Sequence, residues 1–172
     1  VSMRAGVVLV SMETVGMWQE VGFLARAAAC FSRHDLSLDL VATSETNVTV
    51  SLDASANLLE DTRLEAVLAD LKRFCEPRVV RDCASVSLVG RGIRSVLHRL
   101  GGVFELFEEQ RVHLVSQAAN DLNLTVVVDA SQASRLVSQV HAVLLQDIEG
   151  SSSLGERYGE ASAAAPASRV VV

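Results

Sequence analysis

Apolar and polar positions follow two rhythms along the chain, and the rhythms change in the same order twice. From Gly6 to Met12 the residues are mostly apolar and β-branched, the pattern of a buried strand. A polar loop follows as far as Gly22. Phe23, Leu24, Ala27, Ala28 and Phe31 then recur at helical spacing, so the segment from Phe23 to about His34 is predicted to lay one face on a sheet. Leu36 to Thr43 and Val48 to Leu52 alternate apolar and polar residues, and Ser44 to Asn47 between them supplies turn chemistry; together they predict a hairpin. Leu64, Val67, Leu68 and Leu71 mark a second helix over Arg63 to Phe74. Pro77 stops it, and Arg78 to Arg81 begins a last strand.

Sliding the chain on itself by the distance from Asp53 to Asp129 pairs Ser11 with Ser87, Phe31 with Phe107, Asn47 with Asn123, Thr49 with Thr125 and Val50 with Val126, without a gap. Such agreement reads as two copies of one unit. The second copy predicts a strand at Ser85 to Val89, a helix at Val96 to Gln110, strands at His113 to Ala118 and Leu124 to Asp129, and a helix at Gln132 to Gln146. Each copy therefore reads β-α-β-β-α-β: an α+β fold of two ferredoxin-like units, antiparallel sheets with helices on one face. The expected organisation is a first unit over 5–83, a second over 84–150, and a small, polar, flexible tail or linker over 151–172. The second unit's last strand is not visible in its own sequence. The segment Asp147 to Gly150 is too polar, so that strand is either short or supplied by another part of the protein.

Composition narrows the function. The chain has 172 residues, of which 49% are hydrophobic and 21% charged, enough to build real cores. A formal charge of −6 and 4% aromatic residues argue against a nucleic-acid partner, which draws its affinity from clustered cations and stacking rings. No apolar run approaches the roughly 20 residues that span a bilayer, so no membrane association is expected. Cys30, Cys75 and Cys83 form an odd set without CxxC spacing, which fits a reduced, cytoplasmic setting. The chain begins Val1-Ser2-Met3, which reads as a piece of a longer polypeptide.

The chemistry concentrates between Met17 and Asp53. Helix-opening N–H groups lack intrahelical partners and carry partial positive charge, so Gly22, Phe23 and Leu24 suit a carboxylate. Gly22 equally suits a plain turn. Ser37 and Asp39 share one face of an alternating strand, and an acidic residue there either pairs with a ligand ammonium or marks an exposed face. Thr43, Ser44 and Glu45 place two hydroxyls and a carboxylate at the hairpin, where they also satisfy a turn. Gly90-Arg91-Gly92 is a turn rather than a nucleotide loop. The four histidines stand far apart without metal-site spacing, and Glu108-Glu109 reads as a solvated helix face, so no metal site and no catalytic residues are expected.

The run Met17 to Ala25, followed by Arg33 to Glu45 and a strand ending in Asp53, resembles the regulatory part of lysine-sensitive aspartate kinases over residues 5 to 148. Those enzymes carry two ACT domains, themselves β-α-β-β-α-β units, and some are fused to a diaminopimelate decarboxylase. The resemblance implies allosteric feedback inhibition of ATP-dependent aspartate phosphorylation, with lysine bound to the first ACT unit at the interface of a homodimer. The positions matching the family's effector site are Met17, Gly22, Phe23, Leu24, Ser37, Leu38, Asp39, Thr43, Ser44 and Glu45. We assign the helix-opening amides to the carboxylate and Asp39, with Ser37, to an ammonium group, α or ε. ATP and magnesium belong to a kinase domain on the same polypeptide, and no cofactor is expected in this segment, which alone is non-catalytic. Under the same ungapped offset Leu114, Val115, Ala119 and Asn120 stand opposite Leu38, Asp39, Thr43 and Ser44, so the second unit is expected to pair and relay rather than bind lysine. The alternatives are a threonine-binding ACT regulator and a free-standing ACT-like interaction module.

Overall fold

A computed structural model of the chain describes residues 1–14, 20–55, 57, 59–91, 93, 105 and 111–146. The strands are β1 (Ser2–Glu13), β2 (Val41–Thr43), β3 (Asn47–Asp53), β4 (Glu76–Val89), β5 (Val112–Gln117) and β6 (Asn123–Asp129); the helices are α1 (Phe23–Arg33), α2 (Asp61–Leu71) and α3 (Ala130–Gln146). The helix expected at Val96 to Gln110, apart from residue 105, and the tail over 151–172 lie outside the described residues.

The strands form one six-stranded antiparallel sheet in the order β2-β3-β1-β4-β6-β5. At its centre β1 and β4 pair along their full lengths, from Ser2 opposite Ser87 to Glu13 opposite Glu76. Each long strand serves both copies. Val7 to Glu13 pairs with β3 and, on its other edge, with the start of β4; Cys83 to Val89 pairs with β6 and, on its other edge, with the start of β1. The second copy's missing strand is therefore Ser2 to Ala5, contributed from the far end of the sequence. The expected boundary after residue 83 falls inside β4.

The register of β1 against β4 shifts twice, around Gly6 on one strand and across Arg81–Asp82 on the other. Gly6 has φ +75° and Asp82 φ +55°, and the two are as far apart in sequence as Asp53 and Asp129. Each bulge turns a strand from its own copy to the other.

Both faces of β1 are covered, which is why its sequence is continuously apolar rather than alternating. Val8, Val10 and Met12 pack with Phe23, Phe31 and Leu64 beneath α1 and α2. Ala84, Val86 and Leu88 do the same with Ala133, Leu136 and Val140 of α3. On the opposite face Val7, Leu9, Cys83, Leu114 and Val127 make a third core, and the sheet curls around it until its outer strands β2 and β5 touch.

Several details differ from the predicted pattern: the strands expected at Arg78 to Arg81 and Ser85 to Val89 are one strand, β4, which contains Pro77. The strand expected from Leu36 begins only at Val41. Asp35, at φ +53°, reverses the chain after α1, and Asp39 and Leu40 both face Ser51, whose hydroxyl accepts the Leu40 N–H at 2.9 Å. That bulge keeps the segment out of the regular ladder. The copies are also not in one register throughout. Val41 pairs with Val50, while Val115 pairs with Val126, the counterpart of Val50. Val115 thus takes the place of Val41, and His113 that of Asp39; the ungapped match of Asp39 to Val115 is corrected. The β5–β6 hairpin absorbs the slip in a longer turn, Ala118 to Leu122 against Ser44 to Thr46.

Asp53, only 6% exposed, closes the loop after β3. Its Oδ1 accepts the Ser55 N–H at 2.8 Å and hydroxyl at 2.7 Å, and its Oδ2 accepts from Arg4 at 2.8 Å. The two Ser55 bonds, aided by Arg4 and opposed by burial, hold its carboxyl below the ordinary carboxylate range.

Three substitutions test this geometry. A Cβ at Gly6 would meet nothing closer than the Ala54 Cβ at 3.8 Å, so Gly6→Ala should cost only its backbone strain, about 1–2 kcal/mol. Asp82→Gly should be neutral or stabilising, both read as shifts in the urea midpoint at constant slope. Because the Asp53 carboxyl is depressed, its contribution is complete above about pH 4 and disappears as pH falls through the folded value. Asp53→Asn should therefore lower the melting temperature at pH 7, by the equivalent of about 1.5–3 kcal/mol for bonds to a charged acceptor. The gap between variant and parent should narrow as the pH is lowered toward about 2.

Candidate functional site

Helix α1 opens at Gly22, whose φ of +88° is readily adopted only by glycine, and no described side chain caps it. The first intrahelical bond runs from the Arg26 N–H to the Gly22 carbonyl at 3.0 Å. Amides at such an opening carry the positive end of the helix dipole. A cleft of about 470 Å³ lies here, lined by Glu20, Gly22, Phe23, Leu24, Thr43 and Ser44 with Val48 beneath. Phe23 is buried and anchors the helix start, its ring meeting Phe74 edge-on at 5.7 Å, while Leu24 is exposed at the rim.

The far wall of the cleft is the β2–β3 hairpin. The Ser44 N–H donates to the Asn47 carbonyl at 2.8 Å, and Asn47 Nδ2 donates in turn to Ser11 Oγ on β1 at 2.7 Å. Thr43 and Ser44 are thus fixed to the centre of the sheet. Glu20 supplies a carboxylate on the helix side, ion-paired to Arg26, whose guanidinium stacks 4.6 Å over the Phe74 ring.

Of the residues singled out in the sequence, Gly22, Phe23, Leu24, Thr43 and Ser44 come together in this cleft. Ser37, Leu38 and Asp39 do not line it. The Ser37 N–H donates to Asn57 Oδ1 at 2.6 Å, and its carbonyl accepts from Asn57 Nδ2 at 3.1 Å. Leu38 packs against the first core. Asp39, 43% exposed at its side chain, stands 3.6 Å from Arg4 beside a smaller polar cavity of about 180 Å³ that Ser85 and Thr125 also line. Glu45 is exposed at the hairpin turn, and Met17 lies outside the described residues.

Four contributors were not singled out in the sequence. Arg4 joins Asp53 and Asp39 across strands, Asn57 clamps Ser37 from a loop, and Glu20 and Arg26 meet across the start of α1. Only the last pair, an acid just before a helix and a base in its first turns, had a cue in the sequence.

No protein-family model matches the chain. Among curated proteins it is 28% identical over 137 residues to an aspartokinase of Candida albicans, covering 78% of this chain and 24% of that protein. It is 27% identical over 147 residues to the lysine-sensitive aspartokinase 3 of Escherichia coli, covering 84% and 33% respectively. The chain therefore spans about a quarter to a third of the length of these relatives. The crystal structure of Escherichia coli aspartokinase III with aspartate and ADP, in the R-state, matches with a TM-score of 0.71 at 26% identity over 84% of this chain and 33% of that one. The same enzyme with lysine and aspartate, in the T-state, matches with a TM-score of 0.67 at 25% identity over 81% and 31%. In fold alone the chain also matches a C-terminal regulatory domain of aspartate kinase from Porphyromonas gingivalis, with a TM-score of 0.68 at 17% identity over 83% of this chain and 94% of that one. The chain is a homologue of the aspartate kinases over the tandem ACT, regulatory part of those enzymes.

Proposed function

We propose that this chain is the lysine-responsive regulatory region of an aspartate kinase. Lysine binds on the first unit between paired copies and restrains ATP-dependent phosphorylation of aspartate by a kinase domain on the same polypeptide, in a cytoplasmic setting. The observation that carries this reading is the cleft at the opening of α1, which joins helix-start amides, two hydroxyls and a carboxylate in a space of about 470 Å³. Those are the poles that a zwitterionic amino acid requires. The likeness to Escherichia coli aspartokinase III, whose structure holds lysine, supports the choice of effector.

In this scheme the carboxylate of lysine sits at the opening of α1, where Thr43 and Ser44 complete the polar shell. Glu20, Asp39 and Glu45 are acids available to its ammonium groups. Asp39 is exposed and lies away from the cleft of its own chain, which supports a site shared by two copies, each lending Asp39 and Ser37 to the cleft of the other. A shared site also gives the mechanism: lysine favours the paired arrangement that completes its binding shell, and the kinase domain reads that arrangement. Coupling of this kind is worth about 1–3 kcal/mol. ATP and magnesium are assigned to the kinase domain and to none of the residues described above.

Calorimetric titration of the chain with lysine, threonine and methionine tests the effector. Saturable heat is expected with lysine; heat with threonine alone would replace lysine as the effector. Asp39→Ala should weaken lysine about tenfold, a loss of about 1.4 kcal/mol, and leave the circular dichroism spectrum unchanged. Mixing copies tests the sharing. Gly22→Val and Asp39→Ala chains should each bind poorly, yet a re-equilibrated mixture should recover about a quarter of the parent's tight sites, because half of its dimers carry one intact pair. No recovery would place Asp39 and Gly22 in the same chain's site.

A further inference from the structure

Cys83, His113 and Asp129 come from three neighbouring strands and meet on the sheet face that points away from the helices. Cys83 and Asp129 are direct cross-strand partners in the β4–β6 ladder. β5 carries an irregularity between Val112 and Leu114, and His113, at that point, brings its Nε2 to 2.7 Å from Asp129 Oδ1. A sulfur, a ring nitrogen and a carboxylate oxygen from the three residues all lie within 4.8 Å of one another. Cys83 is fully buried, the His113 side chain is 9% exposed and that of Asp129 40%, so the group is closed on the sheet side and open to water at the carboxylate.

The first copy shows what the scaffold itself requires at these places. Its residues are Val7, Asp39 and Asp53, matched to Cys83, His113 and Asp129 by strand register. There Arg4 satisfies both carboxylates, at 2.8 Å from Asp53 and 3.6 Å from Asp39. The position equivalent to Arg4 in the second copy is Val80, which packs against the third core. The fold thus needs neither a thiol nor an imidazole here, and the second copy has exchanged a built-in cation for a set of metal donors. Among the described residues the hydrogen-bond contacts of the Cys83 thiol are long, to the carbonyls of Arg81 at 3.5 Å and Val80 at 4.0 Å.

We infer that the second copy binds a divalent, borderline-soft cation of the zinc type through Cys83 Sγ, His113 Nε2 and an Asp129 oxygen, with water as the fourth ligand. A mixed sulfur, nitrogen and oxygen set selects zinc over magnesium or calcium, which prefer oxygen alone. Tetrahedral zinc holds such atoms roughly 3.3–3.5 Å apart, so the His113–Asp129 contact opens slightly and the sulfur moves inward. Cys83 binds as the thiolate, releasing its proton to solvent, and His113 as the neutral tautomer carrying its proton on Nδ1. The ion would tie β4, β5 and β6 together at a point where the first copy relies on Arg4. This site is independent of the effector cleft and does not rest on lysine binding.

Cobalt(II) is the probe for the chain after treatment with a chelator. One equivalent should bind with a thiolate-to-cobalt charge-transfer band and tetrahedral d–d bands, and added zinc should erase both. Cys83→Val, which installs the first copy's residue, should abolish the charge-transfer band while circular dichroism shows the fold retained. Cys30→Ser and Cys75→Ser should leave the band intact. As an independent reading, zinc should raise the melting temperature of the parent and not that of His113→Gln. Absence of the charge-transfer band in the parent at saturating cobalt, or its persistence in Cys83→Val, would overturn the inference and leave His113 and Asp129 as a hydrogen-bonded pair only.

Discussion

The pairing of β1 with β4 along both strands is the constraint on which the rest of this structure depends. Each strand begins in one copy and ends in the other: the start of β4 completes the first copy's four-stranded sheet, and the start of β1 completes the second's. The exchange needs a local change of direction on each strand, and it is made by residues in the left-handed region, Gly6 and Asp82. Glycine adopts that conformation freely and aspartate is among the few side chains that tolerate it. Continuous main-chain hydrogen bonding at the junction also removes the loose linker usual between repeated domains. The two units are parts of one folded body, with a core of their own on the shared face.

How much of this was legible in the sequence depends on whether the causes are local. The apolar run of β1, the helical stripe of α1 and the hairpin at Ser44 are encoded within a few residues, and all three appear where the pattern puts them. The repeat was legible because β1, β3, β4 and β6 keep their spacing in both copies. Its register along β2 and β5 was not. Comparing the chain with itself detects identities, whereas the partner of Val115 is decided by hydrogen bonding to Val126 and by the room in a turn. The second copy's last strand was illegible in principle, since Ser2 to Ala5 lies next to Val86 only in space.

The candidate site divides along the same line. Gly22 to Leu24, Thr43 and Ser44 share a cleft because a helix start and the adjoining hairpin are both anchored to the central strands, a relation that order along the chain already implies. Asp39 was expected beside them from strand alternation together with the resemblance to the aspartate kinases. Alternation fails there because Asp39 and Leu40 face a single residue, Ser51, and the bulge carries the carboxylate toward Arg4. The same bulge leaves Asp39 exposed on a segment that leads into an outer strand.

Asp53 and Asp129 carry the comparison of the two copies one step further. Both end the strand next to the centre, and both turn toward the face shared by the two units, where a carboxylate without a partner is costly. In the first copy the partner is Arg4, which lies on the stretch of β1 that completes the second copy's sheet. The residue that satisfies one unit is therefore delivered by the strand that closes the other. In the second copy the symmetric strand offers Val80, and the burden passes to His113 on the outer strand β5. Duplication kept the carboxylate and the sheet but changed what answers the charge. The first copy's answer is a guanidinium of the same chain, held 2.8 Å from Asp53. The second copy's answer, an imidazole beside a buried thiol, is also a set of metal donors, and that makes it the half of the molecule where a bound cation can take the place that Arg4 holds in the first.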